Sequence, residues 1–212
     1  MPTPTATATA PRRRLTAARR RRQLIDVALE TFARSGFNAT TMEDIATAAG
    51  VTKPLLYQHF ASKRALYLEL IDDVTARLID ELSRAAGSET VFRKQVHAGM
   101  LAYFRFTIEN QSAVRMLYDA PHDEELARGL RSIQDAIADF VSPLIEADID
   151  EEHRRTLAIG VVGMTEGVTR HWLRQRHGTA LGPDELEKEA MVLAEQVSDL
   201  AWSGLRGVRR VG

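Results

Sequence analysis

A chain of 212 residues with 44% apolar residues can bury one substantial core and a small attached domain, and its lack of cysteine excludes a disulfide framework and a thiol nucleophile. The longest apolar run, Leu157 to Met164, is far too short to span a bilayer, so a soluble, cytoplasmic protein is expected. The net charge of −1 hides two unlike parts: residues 1–65 hold eleven Lys and Arg against four acids, residues 66–212 seventeen against twenty-five, and a polyanion is the expected partner of the first.

The first eleven residues, MPTPTATATAP, lack aliphatic bulk and are expected to be disordered. No apolar stretch follows a basic start, so no secretory signal is expected here. Arg12, Arg13, Arg14, Arg19, Arg20, Arg21 and Arg22 come next with no acid among them. Cations at a helix N-terminus oppose the macrodipole by about a few tenths of a kcal/mol each, so this placement suits a partner of opposite sign, such as a phosphate backbone. Residues 1–18 are read as a basic arm, with the outermost arginines equally readable as a solubilising tail, and Arg21 and Arg22 as phosphate contacts. Helix one is predicted from about Thr16 to Ser35, with Leu24, Ile25, Ala28, Leu29 and Phe32 at helical spacing. Gly36 and Phe37 form its stop.

The stretch from Thr40 to Lys63 reads as two short helices about a glycine turn. Thr41 and Asp44, three apart, make a helix start, Ile45 and Ala49 share an inward face, and Gly50 supplies the left-handed stop. Val51 is the apolar residue of the turn, Thr52 can cap the next helix, and Pro54 falls in its first turn, where a missing N–H costs little. Leu56 and Phe60 bury one face and leave Lys53, Leu55, Tyr57, Gln58 and His59 facing elsewhere, residue types that reach phosphates and base edges. This is the layout of a recognition helix in a major groove; a helical hairpin that merely packs is the bland alternative, and the basic charge of residues 1–65 argues against it.

The motifs GF, TTMEDIA, AAGV, LYQHF and SK occur in that order from Leu24 to Leu66, and this region resembles the N-terminal domain of the TetR family of bacterial transcriptional regulators. The resemblance implies an all-α homodimer: a three-helix helix-turn-helix head at 19–65, and a larger helical ligand-binding and dimerisation body at 66–212. It implies a double-stranded DNA operator as partner, with Tyr57, His59 and Lys63 on phosphates, Lys53 and Gln58 on bases, and Thr41, Thr52, Pro54 and Leu55 beside them. Leu55 stands where the family usually has a smaller or hydroxyl-bearing residue.

In the body, Leu66, Leu70, Val74, Leu78 and Leu82 make a stripe on a connector ending near Gly87. Phe92, Val96, Met100, Tyr103, Phe104 and Ile108 make the next helix, and Val114 to Tyr118 a short one broken by Pro121. Leu126, Leu130, Ile133, Ile137, Phe140 and Leu144 form another, with Pro143 expected to kink or end it. Between 153 and 177, Gly160, Gly163 and Gly167 fall on one face, with Val161, Met164, Val168 and Trp172 opposite; three aligned glycines call for a closely approaching partner helix or, more sharply, a ligand. The last helix, about Pro183 to Leu205, offers Leu186, Leu193, Val197, Leu200 and Trp202, and with its predecessor could build a four-helix dimer interface.

The six histidines include no pair three or four apart, so no helical metal site is expected, and no phosphate loop or cofactor fingerprint occurs. Glu109 and Glu166 are read as surface carboxylates rather than an acid–base pair, and no enzyme activity is expected. LAIGVVGMTEGVTRHWL and LAWSGL, with KPLLYQHFASKRALYLEL in the head, resemble the actinobacterial TetR-type regulators of fatty acid synthesis that sense long-chain acyl-CoA, a group that activates as well as represses. From the residues, soft side chains on four consecutive helices are candidates to line an apolar effector site: Met100, Phe104, Tyr118, Phe140, Met164 and Trp172. The reading is a ligand-responsive DNA-binding regulator, whose effector is small and largely apolar, such as an acyl-CoA or fatty acid. The alternative is an all-helical enzyme or interaction module with a basic head that recruits acidic partners.

Overall fold

The computed structural model describes residues 16–118, 124–176, 181–205 and 207, without the side chains of 116–118, 125–127 and 130. Residues 1–15 of the arm, Pro121 and the side chains of Tyr118, Leu126 and Leu130 therefore lie outside the described residues, whereas Ala17 and Ala18, read as part of the arm, belong to the first helix. Among those described there are nine α-helices, one 3-10 turn and no strand.

Helix α1 (Ala17–Ala39) begins at Thr16, whose side chain accepts from the Arg19 N–H, and breaks at Gly36, where φ is 76°. It resumes for a last turn, so its end lies beyond the expected Ser35. The break folds Phe37 back onto Phe32, with ring centroids 5.7 Å apart, and both meet Tyr67 edge-on. Helices α2 (Met42–Ala48) and α3 (Lys53–His59) follow, and Ile45, Leu56 and Phe60 close the head core against Leu24, Ala28 and Phe32.

Helix α4 (Lys63–Gly87) buries the whole expected stripe, Leu66, Leu70, Val74, Leu78 and Leu82, and adds Tyr67 and Ile71. Its first turns complete the head while its last turns pack on α5 (Phe92–Glu109), so one contiguous apolar core joins head and body through this helix. Helix α6 (Gln111–Tyr118) lies against α1, and α7 (Glu124–Val141) against α4. The second contact is tight, since a Cβ at Gly129 would lie 2.9 Å from the tip of Leu68. Pro143 converts the end of α7 into the 3-10 turn Ser142–Leu144, which is how the expected helix end is realised.

Helix α8 (Glu151–Gln175) turns a different face inward from the one expected. It buries Ala158, Val162, Thr165, Thr169, Trp172 and Leu173, and leaves Val161, Met164 and Val168 half-buried at the flank. Threonine sits on the inward face because the Thr165 hydroxyl donates to the Val161 carbonyl one turn back, 2.7 Å away, which hides its polarity. Gly160, Gly163 and Gly167 are exposed, and a Cβ added to any of them would meet nothing within 4 Å in the protomer. Helix α9 (Pro183–Leu205) packs on α5 through Ala190, Ala194, Val197 and Ala201, while Leu200 is 62% exposed and Met191 and Val192 about half.

Candidate nucleic-acid interface

Helix α2 starts on a reciprocal cap. The Asp44 carboxylate accepts from the Thr41 N–H at 2.9 Å and the Thr41 hydroxyl at 2.7 Å, and the Asp44 N–H donates back to that hydroxyl. The hydroxyl first, and then the backbone N–H, hold this carboxyl below the usual carboxylate range. A depressed folded-state pKa favours folding while the group is ionised. That contribution is present above the ordinary carboxylate pKa and is lost as pH falls through the folded value. Melting curves of Asp44→Asn should therefore lack part of the acid-side loss of stability shown by the wild type, and identical pH profiles would remove the cap from the account.

Gly50, at φ 63°, ends α2, and the Val51 N–H reaches the Ala46 carbonyl at 2.9 Å, aiming the chain into α3. Thr52 is the N-cap residue of α3 but makes no side-chain cap bond, contrary to expectation, and its hydroxyl is exposed. Pro54 occupies the first turn. With Leu56 and Phe60 inside, the outward face is Lys53, Pro54, Tyr57 and Gln58. Leu55 and His59 are half-buried rather than outward. Lys53 has an exposed partner, Glu43, at 3.4 Å, an ion pair of the kind worth about 0–1 kcal/mol that does not tie the ammonium down.

The cations expected on phosphate are engaged inside the protein. The Lys63 ammonium donates to the carbonyls of Phe37 and Thr40 at 2.7 Å and of Asn38 at 3.4 Å, and lies 4.5 Å from the centroid of the Phe37 ring. Burial pushes its pKa down. A phosphate reaching Lys63 must compete with these carbonyls. Arg21 is bound bidentately to Glu69 and also donates to the His59 carbonyl at 2.7 Å, and Arg22 pairs with Asp73 at 2.5 Å and with Asp26. Charge and position near a helix start are the local signals that point these arginines at DNA; apart from Asp26, four residues from Arg22, their carboxylate partners lie 48 and 51 residues away in the chain.

The body holds an apolar cavity of about 70 Å³ between α4, α5, α7, α8 and α9. Met100 and Phe140 line it. Phe104 does not line it and is buried against Tyr103, Met164 packs at the edge of the core, and Trp172 is pinned by its Nε1–H to Glu189. Walls missed in the sequence include Leu82, Val96, Gly99, Tyr103, Val162 and Ile145. The run 92, 96, 99, 100, 103 on α5 was the available signal, because it follows a single helical face. Among the described residues no charged side chain lines the cavity, so it suits hydrocarbon and not a bare carboxylate. Glu166 accepts from the Gln134 amide at 2.7 Å and burial pushes its pKa up, whereas Glu109 is exposed on another helix and is not brought to it. Among the described residues no cluster of three or more His, Cys, Asp or Glu could hold a metal ion, and no helix is long and apolar enough to cross a membrane.

Residues 24–70 match the model for bacterial regulatory proteins of the tetR family. The HTH-type transcriptional activator FasR of Mycolicibacterium smegmatis is 32% identical over 199 residues, covering 92% of this chain and 87% of that protein. A TetR-like transcriptional regulator from Rhodococcus sp. RHA1 superposes with a TM-score of 0.71 at 26% identity, over 92% of this chain and all of the other. The same fold occurs in the transcriptional regulator FadR of Bacillus subtilis, solved in complex with stearoyl-CoA, with a TM-score of 0.70 at 17% identity over 86% of this chain and 98% of that one.

Proposed function

The chain belongs to the TetR family of transcriptional regulators, and on that premise we propose that it binds an operator as a homodimer, reads bases with Lys53 and Gln58 of α3, and is controlled by a long-chain acyl effector held in the body cavity. The observation that carries this reading is the placement of α4. Its Leu66 and Leu70 sit in the core beneath the head, and its Leu82 lines the cavity, so an acyl chain that parts the cavity walls pushes on the rod that supports α3. The cavity is smaller than a typical ligand pocket of about 300–1,000 Å³, so binding requires the walls to move, which is what couples occupancy to the head. The stearoyl-CoA complex of the B. subtilis regulator supports the ligand class. Whether bound protein represses or activates depends on where the operator lies relative to the promoter. A gel shift with DNA flanking the protein's own gene tests the operator reading; no shift at low salt overturns it.

Two exposed features support the homodimer: the glycine face of α8, and the exposed apolar side chains Val192 and Leu200 on the outward side of α9. In a two-fold dimer the recognition helices should meet half-sites about 34–36 Å apart or a multiple of that. Gly163→Glu adds a charge where a Cβ meets nothing in the protomer. It should leave the fold intact by circular dichroism while light scattering shows monomers and operator affinity falls; an unaltered dimer would place the interface elsewhere.

A further inference from the structure

We infer that Arg21 is a positioning residue: it ties the C-terminal end of α3 to α4 and acts on DNA through the recognition helix, without touching phosphate, an inference that rests on the DNA-reading role of α3. Its guanidinium, carried on α1, is bound by two further helices at once. Nε and Nη2 hold both oxygens of Glu69 on α4, Nη1 donates to the carbonyl of His59 at the end of α3, and the group lies 4.6 Å from the centroid of Phe60. Arg21 itself stands on α1.

The His59 carbonyl belongs to the last turn of a seven-residue helix, where carbonyls have no intrahelical partner and a cation complements the helix dipole. Inside that helix only Leu56 is fully buried, with Phe60 just past its end, so few contacts fix the direction in which Tyr57 and Gln58 point. The guanidinium supplies the missing constraint. The Arg21–Glu69 pair is 41% and 32% exposed at its side chains, so it adds little to stability, and its consequence is geometry. A second rung runs beside it, from Arg22 to Asp73 at 2.5 Å and from Asp73 to Arg77 at 3.1 Å, which holds α1 against α4 without reaching α3. Arg21 alone of the two arginines joins the recognition helix to the rod whose other end lines the cavity.

The test compares wild type, Arg21→Ala, Arg21→Lys, Glu69→Gln and the Arg21→Ala/Glu69→Gln double variant, as full-length proteins, by fluorescence anisotropy on the shifted duplex and on a scrambled one across a salt series. Arg21→Ala and Arg21→Lys should each weaken specific binding by about tenfold, with non-specific affinity and the salt slope unchanged, because no phosphate contact is lost. Lysine does not rescue, since a point charge cannot bridge a carboxylate and a carbonyl in the fork geometry of arginine. Glu69→Gln should weaken specific binding in the same direction, and the double variant should be no worse than Arg21→Ala. The inference is overturned if Arg21→Ala weakens both duplexes alike and shallows the salt slope by about one phosphate's worth, if lysine restores binding, or if Glu69→Gln strengthens it. Amide exchange in the DNA-free protein decides the bridge independently. Arg21→Lys and Glu69→Gln should both speed exchange in the last turn of α3, and unchanged exchange overturns the inference even where wild type binds DNA. A wild type that shifts no duplex overturns the operator reading instead, and the exchange result still decides the bridge.

Discussion

Replacing Leu56 by alanine should cost the head about 2–5 kcal/mol and abolish binding to every DNA sequence, because this side chain is fully buried and its loss leaves a cavity under α3. Gln58→Ala, two residues on and on the outward face, should behave differently in kind. It should leave the melting temperature unchanged and relax preference at one base pair by about 1–3 kcal/mol. Thermal melts paired with binding to a panel of single-base operator variants separate the two. A Gln58 variant that loses affinity equally for all sequences would move base reading away from this residue.

The second large effect concerns the cavity. Gly99 lines it on α5, and a Cβ built there meets nothing within 4 Å, so Gly99→Leu starts its side chain without a clash and should direct it into the cavity. Removing a mid-helix glycine also favours the helix by up to about 1 kcal/mol, so the variant should fold at least as well as wild type. It should bind operator normally and lose its response to acyl-CoA by an order of magnitude or more. Met100→Phe fills the cavity from the same helix and should act in the same direction. Phe104→Ala removes a buried ring from the helix that supplies Met100 and Tyr103 to the cavity and should alter the response by loosening that wall. Ligand titrations of these variants by thermal shift provide the check, and a full wild-type response from Gly99→Leu would place the effector elsewhere.

The head was legible where its determinants are local. The Thr41–Asp44 cap, the left-handed Gly50, Pro54 at the start of α3 and the Leu56–Phe60 pair all act within four residues, and each appears as the pattern implies. The α4 stripe was legible because one helical period carries it through head and body. The partners of Arg21 and Lys63 were not, since they lie 23 to 48 residues away and no periodicity encodes them; a run of arginines reads as free charge until its carboxylates are located. Tyr67 escaped notice for a related reason: a hydroxyl-bearing ring beside the stripe gives no sign that it completes an aromatic cluster with Phe32 and Phe37. On α8 the glycines drew the face assignment, whereas Thr165 buries its hydroxyl by bonding one turn back and Thr169 is buried beside it, so residues that read as polar lie inward. The cavity was half-legible. Met100 and Phe140 line it, but the choice among soft side chains depends on helix rotation, and Phe104 and Trp172 are buried in the core without lining it.

The most direct measurement of the whole account is fluorescence anisotropy of the operator duplex titrated with protein, with and without long-chain acyl-CoA, alongside melting curves under the same conditions. The prediction is that acyl-CoA raises the melting temperature and displaces the DNA-binding curve of wild type, while Gly99→Leu binds the duplex as wild type does and shows neither change. Superimposable binding curves and unchanged melting of wild type, with acyl-CoAs and free fatty acids up to their solubility limit, would contradict it.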